Sequence, residues 1–162
     1  MKIERSRDWW LQRAADEGTS EVGIGPHAVG FWLTPPEVMA PLQAEFDFNF
    51  DACPYPCPPD FDGLTCDWGT RTYANPPFKG GVMVWARKAI VEHAKGKLVV
   101  LILPHRAVQW CTAPLLDAGA ETRLTKPIDW LNPKGERRGK AGANVCVLYV
   151  LRPTADNATR AL

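Results

Sequence analysis

Six consecutive apolar residues, Leu98-Val99-Val100-Leu101-Ile102-Leu103, stand between Gly96 and Pro104. A run without polar alternation leaves no face for solvent, so it reads as a strand covered on both sides, as strands of parallel sheets are. Ahead of it, Val82, Trp85, Ala86, Ala89, Ile90 and His93 recur at helical spacing, Arg87, Lys88 and Lys95 lie toward the C-terminal end, and Gly96 supplies the stop. Ahead of that helix, Arg71-Thr72-Tyr73-Ala74 reads as another strand. Strand, helix, strand in this order makes a right-handed crossover unit. The expected fold class is α/β, an open sheet flanked by helices.

The remaining elements follow from local signals. Thr34-Pro35-Pro36-Glu37 has the form of a helix start, with Thr34 as N-cap, Pro35 at the first helical position and Glu37 completing a capping box. Val38, Met39, Leu42 and Phe46 then give the buried stripe of a helix from about Pro35 to Glu45. Phe48-Asn49-Phe50-Asp51 alternates like a short strand, and Pro54, Pro56, Pro58 and Pro59 make the segment from Cys53 to Gly63 a loop. A helix around Ala107 to Ala118 is interrupted by Pro114, Gly119 releases the chain into Glu121-Thr122-Arg123-Leu124, and Val145 to Leu151 forms the last strand. Asp51, Asn75 and Pro104 each follow a strand, so they fall on the rim where open α/β sheets bind ligands.

At 162 residues the chain has the size of one domain, which the pattern places at residues 31–153. Residues 1–30 read as an arm and linker: Asp8 caps a helix through Trp9, Trp10, Leu11, Ala14 and Ala15, and Gly18, Gly23, Gly25, Pro26 and Gly30 follow. Residues 154–162 read as a frayed tail. With 19 basic against 18 acidic residues there is no global positive field, so any nucleic-acid contact rests on a local patch. No apolar run reaches the roughly 18 residues of a membrane span, and a cytoplasmic setting is the default expectation. The five cysteines are odd in number and read as reduced thiols; Cys53, Cys57 and Cys66 supply only three ligands at irregular spacing, and no metal is expected.

The tetrapeptide Asn75-Pro76-Pro77-Phe78 carries the chemistry. An exocyclic amine conjugated to a ring is a poor nucleophile, because its lone pair is delocalised. Two acceptors placed on its two hydrogens draw the nitrogen toward tetrahedral geometry and stabilise the positive charge that grows as it attacks an electrophilic methyl group. The side-chain oxygen of Asn75 and the carbonyl of Pro76 are such a pair, the prolines fix backbone direction, and Phe78 offers a flat face for a base swung out of a duplex. The same residues also suit a plain turn after a strand.

On these residues the chain resembles the phage-type, Dam-like DNA N6-adenine methyltransferases. The resemblance runs from about Trp32 to Pro153 through Trp32-Leu33-Thr34-Pro35, Phe50-Asp51-Ala52, Asp67-Trp68-Gly69, Asn75-Pro76-Pro77-Phe78 and Leu101-Ile102-Leu103-Pro104. It implies a Rossmann-like class I methyltransferase sheet, reduced in size, with S-adenosylmethionine as cofactor and a flipped-out adenine of duplex DNA as substrate. It implies catalytic roles for Asn75, Pro76, Pro77 and Phe78. Thr34 and Pro35 would contact the methionine part of the cofactor, Asp51 and Ala52 would lie against its methionine or ribose portion, and Asp67 and Trp68 would border the adenosine pocket. Where a glycine-rich cofactor loop is usual after the first strand, this chain has Cys53-Pro54-Tyr55-Pro56-Cys57-Pro58-Pro59.

The basic loop residues Lys134, Arg137, Arg138 and Lys140 are candidates for phosphate contacts, or equally a solvated surface. Target selectivity would come from such loops or from a homodimer partner. Two other readings stay open: transfer to a protein glutamine amide, which poses the same chemical problem, and a non-catalytic nucleic-acid-binding module on the same fold.

Overall fold

The computed structural model describes residues 32–78, 81–139 and 143–154. The expected arm and linker, Lys140, and the tail beyond Thr154 lie outside the described residues. Strands β1 (Phe50–Asp51), β2 (Arg71–Ala74) and β3 (Leu98–Pro104) run parallel, with Asp51 level with Tyr73 and Ala74 level with Leu101. Beyond β3 lies β5 (Cys146–Leu151), antiparallel to it, and then β4 (Glu121–Leu124), antiparallel to β5. The order is β1-β2-β3-β5-β4. Four strands therefore share one direction, and the last strand in sequence is inserted among them in the opposite sense.

Burial on both faces of β3 explains its unbroken apolar run. Val99, Leu101 and Leu103 pack with Trp85, Ala86 and Ala89 of helix α2 (Val82–Ala94) and Leu115 of helix α3 (Thr112–Asp117). Leu98, Val100 and Ile102 pack on the other face with Leu42 and Phe46 of helix α1 (Pro36–Phe46) and with Trp130. Helices thus cover both faces. Arg123 of β4 grips Glu45 with two bonds of 2.8 and 2.9 Å, tying the end of α1 to the far edge of the sheet. Among the described residues no helix is long and apolar enough to cross a membrane.

Three local expectations need correction. The N-cap of α1 is Pro35, in extended conformation and without a side-chain cap bond, so the helix starts at Pro36 and the Thr34–Glu37 capping box does not form. Thr34 turns its hydroxyl to Tyr73 instead, and Glu37 pairs with Arg137 at 2.7 Å. The strand expected from Phe48 shortens to two residues. Phe48 packs its ring on Phe46 and Tyr73, and Asn49 spends its side chain on Thr70 and Arg71. The interrupted helix after β3 is a 3-10 turn (His105–Trp110) followed by α3, in which Pro114 occupies the first turn, where a missing N–H costs no helical bond.

The amino end of the sheet is held by a buried acid. Glu92 is fully buried on α2, where it accepts from Lys88 (2.7 Å), Lys95 (2.9 Å), Lys97 (2.6 Å) and the Trp68 backbone N–H (3.2 Å). Burial alone would raise its carboxyl, but these hydrogen bonds outweigh burial and hold it down at about 2. The loop between β1 and β2 packs back on the end of β1 and on Phe50 by close backbone approach. A Cβ on Gly63 would stand 1.9 Å from the Ala52 carbonyl oxygen, and one on Gly69 would stand 2.5 Å from Phe50 Cβ.

A carboxyl with a depressed folded value stabilises fully above its ordinary value of 4.5, and that contribution is lost as pH falls toward 2. Glu92→Leu leaves Lys88 without its carboxylate partner and Lys95 and Lys97 with only the exposed Asp67 as theirs. It is expected to cost about 3–5 kcal/mol in urea denaturation at pH 7. The deficit relative to the parent chain should shrink as the pH is lowered through that window.

Candidate functional site

At the carboxyl ends of β1 and β2 the chain encloses an open pocket of about 250 Å3. Its walls come from four places: Trp32, Leu33 and Thr34 ahead of α1, Met39 on α1, Asp51 with Cys53 and Tyr55 after β1, and Tyr73 with Asn75 at the end of β2. The segment ahead of α1 is fixed by two backbone bonds between Leu33 and Leu131, of 2.8 and 3.2 Å. The parallel pairing of β1 with β2 brings Asp51 and Asn75 to the same rim, because each ends a strand of the same direction.

Asn75 is buried, and its amide has one orientation that its neighbours accept. Nδ2 donates to the Trp32 carbonyl at 2.6 Å and to the Thr34 hydroxyl at 3.3 Å. A carbonyl can only accept, so the nitrogen belongs there and Oδ1 is left on the other side. Oδ1 has no hydrogen-bond partner among the described residues. Among the described residues, only one other buried side-chain polar atom shares that condition, the Trp130 Nε1, and Trp130 does not line the pocket. An unsatisfied buried acceptor costs about 1–3 kcal/mol, so one on a residue that lines a pocket is a candidate for a bond that a ligand donor restores.

Asp51 adds negative charge. Its Oδ1 accepts from the Cys53 backbone N–H at 2.8 Å, which fixes the side chain at the pocket. Asp51 is exposed as a residue and lines the pocket, yet the protein packed around its carboxyl group largely desolvates it. That burial raises its carboxyl to about 6, and the Cys53 N–H offsets only part of the effect. None of the ion pairs among the described residues involves Asp51. Burial also pushes the Cys53 thiol well above its ordinary range, so this pocket sulfur stays protonated rather than nucleophilic. The site is thus rich in acceptors and suits a cationic or donor-bearing ligand.

Of the residues singled out in the sequence, Thr34, Asp51 and Asn75 line the pocket. Pro35 and Ala52 are their immediate neighbours, and Pro76 and Pro77 are buried behind Asn75. Phe78 does not line the pocket; its ring meets Trp130 edge-on at 5.3 Å. Asp67 and Trp68 stand at the opposite, amino end of the sheet. Asp67 is held by Lys95 and Lys97 at 2.6 and 2.9 Å, and Trp68 is core, stacked on Trp85 with its indole N–H on the Gly63 carbonyl. Arg138 lays its guanidinium 4.6 Å over the ring of Trp32, Arg137 pairs with Glu37, and Lys134 is exposed in the adjoining turn. Lys140 lies outside the described residues.

Tyr73 escaped the sequence reading, although a signal existed: strand alternation puts residues 73 and 75 on one side. Among the described residues no group of three His, Cys, Asp or Glu side chains is placed to hold a metal ion.

A carboxyl with a raised folded value contributes nothing below its ordinary value of 3.8, then opposes folding increasingly until the pH passes about 6. Asp51→Asn keeps an acceptor for the Cys53 N–H and removes that charge. It is expected to raise the thermal midpoint at pH 8 and leave it unchanged at pH 3.5, a comparison that parallel melts check.

Comparison with known proteins returns no match: no family model, no curated protein and no solved structure is significantly similar to the chain.

Proposed function

We propose that this chain is an S-adenosylmethionine-dependent methyltransferase acting on an exocyclic amine, with N6 of adenine in DNA as its target. The observation that carries the reading is the Asn75 amide: Nδ2 is pinned by the Trp32 carbonyl, and Oδ1 is buried without a donor. That is the state an amine-activating acceptor needs before substrate arrives. Its position at the end of a parallel strand, followed by two buried prolines, supports the same reading. Four codirectional strands with helices on both faces agree with a reduced Rossmann-like class I sheet.

The pocket's chemistry fits the cofactor's charged part. An ammonium or sulfonium group beside Asp51 would neutralise a carboxylate that none of the chain's described basic groups pairs with, and deprotonation near pH 6 would strengthen that contact. When bound, the cofactor supplies a methyl group on a cationic sulfur that leaves as a neutral thioether. Everything else falls to the protein. Asn75 Oδ1 accepts one amine hydrogen and, with the Pro76 carbonyl as second acceptor, orients the nitrogen lone pair toward the methyl carbon. The methyl group would pass from sulfur to nitrogen and the extra proton on nitrogen would go to water, so the chain would need no general base. Under this reading Arg138, stacked on the pocket residue Trp32, would meet a DNA phosphate, with the exposed Lys134 beside it and Arg137 shared with Glu37.

Incubating the protein with methyl-labelled S-adenosylmethionine and duplex DNA, then digesting to nucleosides, is expected to place label in N6-methyladenosine. Label confined to glutamine of an added protein would move the reading to amide methylation. No transfer, together with no cofactor binding by calorimetry, would overturn it. Asn75→Ala should lower transfer by about 100-fold or more while cofactor binding persists, since the acceptor acts mainly in the transition state.

A further inference from the structure

Thr34 is expected to cap α1 from its position in the sequence and to touch the cofactor from the family resemblance. The cap does not form, and the hydroxyl of this pocket-lining residue is engaged by protein. Its hydroxyl lies 2.7 Å from the Tyr73 hydroxyl and accepts from Asn75 Nδ2 at 3.3 Å, so it is occupied by protein on both sides. We propose that Thr34 and Tyr73 are positioning residues that hold the Asn75 amide in the orientation that presents Oδ1, rather than Nδ2, to the substrate.

A primary amide is nearly symmetric in shape, and rotation by half a turn exchanges an acceptor for two donors. For a reaction that needs an acceptor, the rotated amide is useless, because it would meet the substrate amine donor to donor. The Trp32 carbonyl opposes rotation from one side, since it can only accept. A threonine hydroxyl does not oppose it unaided: it donates as readily as it accepts, and could serve Oδ1 of a rotated amide equally well. Tyr73 limits that freedom in one of the two arrangements open to their 2.7 Å contact, in which either hydroxyl can donate. When Thr34 gives its single hydrogen to the Tyr73 oxygen, only lone pairs face Asn75, and only an N–H can complete the bond. The three residues come from two places, Thr34 ahead of α1, and Tyr73 on β2 with Asn75 directly after it, so the chain's fold delivers them together. Tyr73 is buried, and burial holds its hydroxyl far above its ordinary range, so it stays protonated at every pH of interest.

The activity part of this inference rests on the methyl-transfer reading, whereas the amide orientation is a property of the chain by itself. The two are therefore tested separately. In 15N-resolved NMR of the ligand-free protein, the Asn75 side-chain amide pair, identified by its disappearance in Asn75→Ala, is expected to be protected from solvent exchange. Thr34→Val should shift the pair and reduce that protection about tenfold, the worth of one lost hydrogen bond. Thr34→Ser should restore both, and Tyr73→Phe should fall between. With methyl transfer as readout, Thr34→Val should lower kcat about tenfold while KM for DNA and Kd for S-adenosylmethionine stay within about twofold, the split of an interaction acting through Asn75. Unchanged Asn75 amide signals in both Thr34→Val and Tyr73→Phe would overturn the inference. So would a loss of cofactor affinity in Thr34→Val with the amide pair undisturbed, since Thr34 would then touch the cofactor directly. Should the parent protein transfer no methyl group, the amide signals alone still decide the orientation.

Discussion

The structure is organised around β3, a strand with no face left for water. Its alternate residues belong to two separate cores, one shared with α2 and α3 and the other with α1 and Trp130. Such a strand excludes any arrangement in which one side of the sheet stays open. Helices must lie on both faces, and connections must cross over the sheet to place them there. Crossover connections in turn make neighbouring strands parallel, which is why β1 and β2 finish at the same rim and bring Asp51 beside Asn75.

The two ends of this sheet divide the work. The amino end gathers charge for cohesion: Glu92 receives three lysines and a backbone amide and has no opening to a ligand. The carboxyl end does the opposite: among the described residues, Asn75 Oδ1 has no donor and Asp51 no cation. Stability is spread through the first and withheld from the second, as expected where a fold tolerates local cost to keep a site receptive.

Periodicity made most of the fold legible before the structure. The apolar run of β3, the helical spacing from Val82 to His93 and the strand ahead of Asn75 each correspond to an observed element, because burial imposes a period that composition alone records. The site was legible where it follows from strand ends, hence Asp51 and Asn75. It was hidden where one residue type serves two purposes. A threonine before two prolines looks like a cap, although here the chain enters α1 one residue later and frees the hydroxyl for Tyr73. Glu92, four residues after Lys88, looks like an exposed helical pair, and only the approach of Lys95, Lys97 and Trp68 buries it. Asp67-Trp68 and Asn75 are close in sequence but flank opposite ends of β2, a separation set by the length of that strand. The reversed direction of β5 has no signature in residues, since a strand buried on both faces reads alike either way.

The bridge between Leu33 and Leu131 sets the order in which this molecule can come together. Leu33 and Leu131 stand far apart in the sequence, yet their two bonds hold the segment whose Trp32 carbonyl orients Asn75. Contacts between such distant positions form late, because a long loop must close before they return any energy. A chain emerging from synthesis can therefore complete β1 to β3, and bury much of their surface, while the recognition pocket is still unbuilt. Competence arrives with the final third of the polypeptide, and a fragment lacking that portion would be folded in part and chemically mute.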